Sequence, residues 1–132
     1  MIGLDTNVLI RYFAQDDAVQ SPIAARLIDR LTSERPGYVS SVVLAETSWV
    51  LSRVYKKSRA DIAAIFENLL RSREIVVENA AAAYRAVGVY QSNAVAEYAD
   101  ALIAELAACA GCTETVTFDK SAAKGAGMRL LA

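Results

Sequence analysis

The segment MIGLDTNVLI, residues 1–10, contains a short apolar run that passes directly into a helical pattern. The run Met1–Leu4 has the length of a short strand and ends at Asp5. The pair Thr6-Asn7 supplies polar side chains that cap a helix, and we predict that helix from Val8 to about Ala14. A short strand followed at once by a helix is the first half of a βαβ unit.

The same alternation continues along the chain. Further short strands are predicted at 38–40, 74–78 and 115–118, with an edge strand at 128–131. Helices are predicted after Ser21-Pro22, from Val42 to about Tyr55, after Ser58, from Asn79 to about Gln91, from Val95 to Ala110, and briefly after Asp119. This alternation indicates parallel strands covered by helices on both faces. We therefore expect one α/β domain over residues 1–132, a three-layer α/β/α sandwich with a central parallel sheet of four to five short strands.

The amino-acid composition excludes several classes of protein and of catalytic site. The 132 residues are 55% apolar and 22% charged, which excludes a disordered protein. The net charge of −1 excludes coating of nucleic acid by bulk charge and leaves room for a local basic groove. The chain has no histidine, so Ser-His-Asp, Cys-His and histidine–zinc sites are all excluded.

The N-terminus does not resemble a secretory leader. It has no basic segment, and Asp5 interrupts the apolar run that a leader needs. No apolar run of about 18 residues occurs anywhere in the chain. We therefore expect a cytoplasmic protein.

Four acidic residues follow the predicted strands. Asp5 ends the first strand and Asp119 ends the fourth, while Glu46 and Asp100 lie in early turns of the helices after the second strand and before the fourth. Functional groups in open α/β sheets gather beyond the carboxyl ends of the strands, so all four can reach one edge. Each has a structural alternative, because Asp5 and Asp119 fit helix caps and Asp100 fits the positive end of a helix dipole.

Glu46 is the least ordinary of the four. It is the only charged residue between Ser41 and Ser52, inside an apolar stretch. We expect its carboxylate to be desolvated at a cost or satisfied by a partner, and Arg53 is a candidate partner.

A shared acidic site needs a cation. Two carboxylates about 4 Å apart repel by roughly 4 kcal/mol at an effective dielectric constant of about 20. Oxygen ligands without histidine or thiolate select a hard divalent ion such as Mg²⁺ or Mn²⁺. Such an ion suits the in-line attack of water on a phosphodiester.

Four segments carry a family resemblance. They are Leu4–Ile10 (LDTNVLI), Leu44–Glu46 (LAE), Tyr98–Ala104 (YADALIA) and Thr117–Asp119 (TFD). They resemble the motifs of PIN domains, and in order and spacing they are similar to the VapC toxins of toxin–antitoxin pairs. The resemblance spans essentially the whole chain. It implies a PIN-like fold and a Mg²⁺- or Mn²⁺-dependent endoribonuclease that hydrolyses RNA through metal-activated water, is inhibited by a cognate antitoxin and forms a homodimer.

The resemblance also assigns residues. It makes Asp5 and Asp100 the surest metal ligands and catalytic residues, with Glu46 and Asp119 completing the cluster directly or through water. Two further residues, Asn7 and Thr117, match positions that orient the carboxylates. One more acid, Glu97, stands three residues before Asp100 on the same flank of the helix, as a further ligand or as a solvated acid.

Basic and aromatic residues flank the acids. Arg53, Lys56, Lys57 and Arg59 follow the Glu46 helix, and Lys120 and Lys124 follow Asp119. They fit either a solvated surface or contacts to RNA phosphates, which position RNA without reading its sequence. Tyr12 and Phe13 fit either base stacking or core packing, with core packing expected for at least one of them. The alanine-rich helices permit an apolar groove, which the family resemblance would fill with an antitoxin segment.

Two alternatives to the nuclease interpretation remain. One is a catalytically silent PIN-like module that only binds RNA or protein. The other is a thiol-redox protein using Cys109 and Cys112, but Cys109 is predicted at a helix C-terminus, where the dipole disfavours the thiolate, so we expect buried structural cysteines. A haloacid-dehalogenase-like phosphatase is excluded, because Asn7 stands where its second aspartate is needed.

Overall fold

Helices make up most of the chain in the computed structural model, which describes residues 1–132. The elements in order are β1 (Ile2–Gly3), α1 (Thr6–Ala14), α2 (Gln20–Asp29), β2 (Gly37–Val39), α3 (Ser41–Arg53), α4 (Arg59–Arg71), β3 (Ile75–Val77), α5 (Ala80–Ser92), α6 (Tyr98–Cys109), β4 (Val116–Thr117), α7 (Lys120–Ala126) and β5 (Arg129–Leu130). Every predicted strand and helix is present. None of the helices is long and apolar enough to cross a membrane.

The strands form two small parallel sheets. The first has the order β1-β2-β3, with Ile2 opposite Gly37 and Gly37 opposite Ile75. The second joins β4 to β5, with Val116 opposite Arg129. The chain is therefore an α/β protein with a parallel arrangement of strands, as predicted.

The prediction of one central sheet with four to five strands is wrong, because the strands divide into three plus two. The physical reason is the length of β1 and β4, which have two residues each. The backbone groups of β1 are engaged with β2, since the Leu4 N–H donates to the Tyr38 carbonyl at 2.8 Å. A two-residue strand that turns into a helix has too few remaining groups for a second ladder.

Side chains that accept backbone N–H groups set the helix starts. Asp5 caps α1, Ser40 caps α3, Ser58 caps α4 and Asp119 caps α7. Three predicted starts are displaced. The start of α1 lies at Thr6 rather than Val8, because Asp5 caps it in place of the Thr6-Asn7 pair. The first turn of α2 begins at Gln20, because Asp17 accepts from the Val19 and Gln20 amides. The start of α6 lies at Tyr98 rather than Val95, because Asn93 Oδ1 accepts from the Val95 and Ala96 amides and holds them outside the helix.

The core fixes the start of α6. Tyr98, its first residue, is buried against Phe66 with ring centroids 4.6 Å apart. Its hydroxyl donates to the Ala83 carbonyl on α5 at 3.0 Å. Since α6 also packs against α3 and α7, this anchored turn places Asp100 among the other candidate elements.

Candidate active site

Thr6 links two of the four predicted acids. Asp5 lies directly after β1, and its Oδ1 accepts from the Thr6 N–H at 2.8 Å. The buried Thr6 hydroxyl donates to Glu46 Oε1 on α3 at 3.1 Å. The structure therefore brings Asp5 and Glu46 to one place, and the helix-capping role of Asp5 is confirmed as well. Sequence reasoning missed the role of Thr6, although a threonine between Asp5 and a buried helix was a usable signal.

Glu46 is exposed, so its carboxylate is not desolvated; the other expected outcome holds, because the Thr6 hydroxyl is its partner. The buried face of α3 is formed by Leu44, Thr47, Ser48 and Leu51, and Glu46 lies off that face. Arg53 is not its partner. The Arg53 guanidinium instead forms an ion pair with Glu97, the residue that precedes α6.

Asp100 lies in the first turn of α6, among other carboxylates. Burial raises its pKa, and the negative charges of Asp119 and Glu97 raise it further. A hydrogen bond from the Glu97 backbone amide acts in the opposite direction. The structure therefore places Asp119 and Glu97 close enough for each to repel the charged form of Asp100.

Asp119 occupies the start of α7. Its Oδ1 accepts from the Ser121 and Ala122 amides at 2.7 and 3.2 Å, which confirms the capping alternative. Thr117 Oγ1 accepts from the Asp119 N–H at 3.0 Å, so Thr117 holds the turn that presents this acid. Asn7, in contrast, makes no hydrogen bond to any of the four carboxylates; it lines a groove between α1 and α2.

Asn93 and Gly125 fix α7 against the start of α6, and sequence reasoning missed both. Asn93 Nδ2 donates to the Gly125 carbonyl and to the Val89 carbonyl, each at 3.0 Å. A Cβ at Gly125 would lie only 2.5 Å from the Ala96 backbone nitrogen. This close approach sets the spacing between Asp119 and Asp100. A glycine inside a short predicted helix was the signal for it.

The basic residues differ in how far they are engaged. Arg53 is paired with Glu97, and Arg59 donates to the carbonyls of Tyr90 and Asn93. The lysines following α3 and beginning α7 have no ion-pair partner; they are Lys56, Lys57 and Lys120. These lysines, and Lys124 later in α7, are therefore available to contact a phosphate.

The aromatic and cysteine side chains differ in exposure. Phe118, next to Asp119, is 77% exposed and was missed as a candidate contact. Phe13 packs against the core, as expected for one of the Tyr12–Phe13 pair. Both Cys109 and Cys112 are exposed, so the prediction of buried cysteines is wrong. They lie where α6 ends and the chain turns at the surface.

The carboxylate oxygens of the four acids are the kind of ligand that a hard divalent cation prefers, but their side chains are not arranged around a common point. In the structure no three acidic or cysteine side chains lie close enough together to hold an ion. The acids instead form two groups, Asp5 with Glu46 and Asp100 with Asp119. None of these four is ion-paired to a lysine or arginine. Uncompensated oxygen ligands of this kind suit Mg²⁺ or Mn²⁺.

Comparison with known proteins gives one match. A family model described as PIN domain matches residues 2–127. No curated protein and no solved structure matches the chain. The matched range includes both acidic groups and the helices that carry them.

Proposed function

Because the chain belongs to the PIN domain family, whose members are generally nucleases, we propose that it is a Mg²⁺- or Mn²⁺-dependent endoribonuclease and the toxin of a toxin–antitoxin pair. The observation that carries this proposal is the environment of Asp100. Its carboxyl group is under the negative charge of Asp119 and Glu97, and no basic side chain neutralises it. An acidic group kept in this state fits a ligand for a divalent cation better than a structural ion pair.

The chain's own residues have distinct tasks in this proposal. Asp5 and Asp100 hold the cation, and Glu46 and Asp119 complete the set directly or through water. When bound there, a divalent cation would supply positive charge to the scissile phosphate and would lower the pKa of the attacking water. Thr6 orients Glu46 through its hydroxyl, and Thr117 fixes the Asp119 turn.

RNA is held by cations outside the acidic groups. We propose that Lys56, Lys57 and Lys120 contact its phosphates, with Arg53 contributing beside Glu97. These contacts supply a local attraction that the net charge of −1 does not provide.

The partners we propose are a cognate antitoxin and a second copy of the chain. Apolar side chains such as Phe118, Ile103 and Val54 are more than half exposed. Exposed apolar surface of this kind is typical of protein contacts. Sedimentation with and without a co-expressed antitoxin would test both partners, and a protein that stays monomeric at all concentrations would contradict the homodimer.

The cleavage experiment is direct. Purified protein should cut single-stranded RNA in Mg²⁺ or Mn²⁺ and stop in EDTA. Asp5→Asn should abolish cleavage and keep the fold, because an asparagine can still cap α1. Glu34→Gln is the matched control, since Glu34 is exposed and its side chain forms no ion pair. Cleavage that persists in EDTA or in Asp5→Asn would contradict the proposal.

A catalytically silent PIN-like module that binds RNA or protein is the second candidate. The observation that favours it is the separation of the acids into two groups, with no three close enough to hold an ion. Such a module would bind RNA as the enzyme does, but it would leave the RNA uncleaved in the presence of Mg²⁺ and of Mn²⁺.

A further inference from the structure

A polar cavity lies beside the candidate active site. Its volume is about 190 Å³, and it is enclosed by α3, the end of α5, the start of α6 and the loop from α3 to α4. The side chains that matter for its chemistry are Trp49, Ser52, Lys57, Arg59, Tyr90 and Glu97. This combination of cations, hydroxyls and aromatic rings is unlike an apolar core defect.

The cavity is one helical turn from both acidic groups. Trp49 stands three residues after Glu46 on α3, and Glu97 stands three residues before Asp100 at the start of α6. Three residues advance about 4.5 Å along a helix and stay on the same flank. Glu97 lines the cavity, and its charge acts on both Asp100 and Tyr90, so the cavity borders the acids on this side.

One wall of the cavity is rigid and positively charged. The Arg59 guanidinium lies 4.0 Å from the centre of the Tyr90 ring. It also donates to the Tyr90 and Asn93 carbonyls, at 2.9 and 2.7 Å. Arg59 is thus held in place without a carboxylate partner, and its charge is not cancelled.

The mouth of the cavity offers an aromatic ring and a free lysine. Trp49 is 51% exposed, which is unusual for the largest apolar side chain in so small a protein. Lys56 adopts a left-handed conformation with φ of 55°, which turns the chain sharply after α3. The next residue, Lys57, is held by its N–H to the Leu51 carbonyl at 2.9 Å, and its ammonium has no ion pair.

We propose that this cavity, the Trp49 cavity, binds one nucleotide of single-stranded RNA adjacent to the cleaved phosphate. The base stacks on Trp49, and the phosphate is bound by Lys57. The ion pair of Arg53 with Glu97 offsets part of the negative charge at the edge of the cavity, which reduces the repulsion of the RNA backbone there. This inference rests on the proposed function for the identity of the polymer.

Trp49 makes the test direct, because it is the only tryptophan in the chain. The probe is a 2′-O-methylated RNA hexamer of mixed sequence that carries no fluorophore. It is added in the presence of EDTA, so that the signal does not depend on cleavage. Tryptophan emission should be quenched as the hexamer binds. A saturable quench supports the cavity even if no cleavage is ever detected, and absence of any quench on bound RNA overturns it even if the protein is an active nuclease.

Variants measured with an end-labelled hexamer by anisotropy complete the test. Trp49→Ala should weaken binding about tenfold or more, and Trp49→Phe should bind nearly as wild type because it keeps an aromatic ring. Lys57→Gln should weaken binding, whereas Arg30→Gln, an exposed cation outside the cavity, should not. Equal affinities for wild type, Trp49→Ala and Lys57→Gln would overturn the proposal, provided that melting temperatures match.

Discussion

Thr6 is the residue through which the acids after β1 and on α3 are joined. Its hydroxyl donates to Glu46 while its backbone amide donates to Asp5. Thr6→Val keeps the buried volume and removes only the donor to Glu46. We expect RNA cleavage to fall about tenfold or more, the range for residues that orient metal ligands. Steady-state kcat/KM and the melting temperature measure this, with the exposed Thr113→Val as control. A wild-type kcat/KM would show that Glu46 needs no orientation.

Asp100 makes stability depend on pH. Burial and the charges of Asp119 and Glu97 raise its pKa in the folded protein, so the unfolded chain releases this proton first as the pH rises. The folded state binds more protons in that interval and therefore loses stability with rising pH. The stabilising contribution is complete below the ordinary aspartate pKa of about 4 and disappears as the pH passes the raised value.

Asp100→Asn removes the titrating group and tests this expectation. In EDTA its melting temperature should exceed that of wild type at neutral pH, and the difference should vanish as the pH falls to about 3. Thermal melts across this range measure it, with Glu34→Gln as the control that shows no such trend. A difference that is constant with pH would mean that Asp100 is not under the influence of neighbouring carboxylates.

The positions of the four candidate acids along their elements were predictable from the sequence, because Asp5 and Asp119 follow strands while Glu46 and Asp100 lie in early helical turns. Their surroundings were not. Glu46 was expected to be desolvated or satisfied by a partner; it lies in solvent off the buried face of α3, and its partner is the Thr6 hydroxyl rather than Arg53. Trp49 carried no signal as a ligand contact, since an aromatic residue in an apolar stretch reads as core. Side-chain exposure depends on the packing of other elements, which one segment does not contain.

At the scale of elements, the contact between α7 and the start of α6 governs the spacing of Asp119 and Asp100. Gly125→Ala would place a methyl group 2.5 Å from the Ala96 nitrogen, so α7 must move. We expect a loss of about 1–3 kcal/mol in the free energy of unfolding and weaker cleavage. Gly88→Ala on α5 is the matched control, because its Cβ meets nothing within 4 Å and alanine favours a helix. Denaturant unfolding and cleavage assays measure both variants, and equal behaviour would contradict this role of Gly125.

The presence of each helix and strand was predictable from the sequence, whereas the pairing of the strands into two sheets was not. The cap at Ser58 and the glycine after α6 marked real boundaries. The division into two sheets follows from how soon β1 and β4 end, and strand ends are the least certain part of a sequence pattern. Asn93 likewise delayed the start of α6 through hydrogen bonds that reach across to α7.

At the scale of the whole molecule, RNA must be attracted by a protein with a net charge of −1. The unpaired cations Lys56 and Lys57 are expected to contact two phosphates. Changing both to glutamine should flatten the salt dependence of binding to single-stranded RNA by about 1.4 in logarithmic slope, at about 0.7 for each contact. Affinity at several salt concentrations, in the Asp5→Asn background, measures this. The melting temperature should hardly move, because exposed charges contribute little. An unchanged slope would show that neither lysine contacts an RNA phosphate and that both are only solvated surface residues.

In the proposed mechanism the two acidic groups, Asp5 with Glu46 and Asp100 with Asp119, share one divalent cation. Mn²⁺ binding followed by electron paramagnetic resonance tests it without RNA or catalysis. The wild-type protein should bind one Mn²⁺ per chain, and Asp5→Asn and Asp100→Asn should each weaken that binding at least about tenfold, while Glu34→Gln should not. Wild-type Mn²⁺ affinity in either aspartate variant would contradict the claim, because one group alone would then hold the ion.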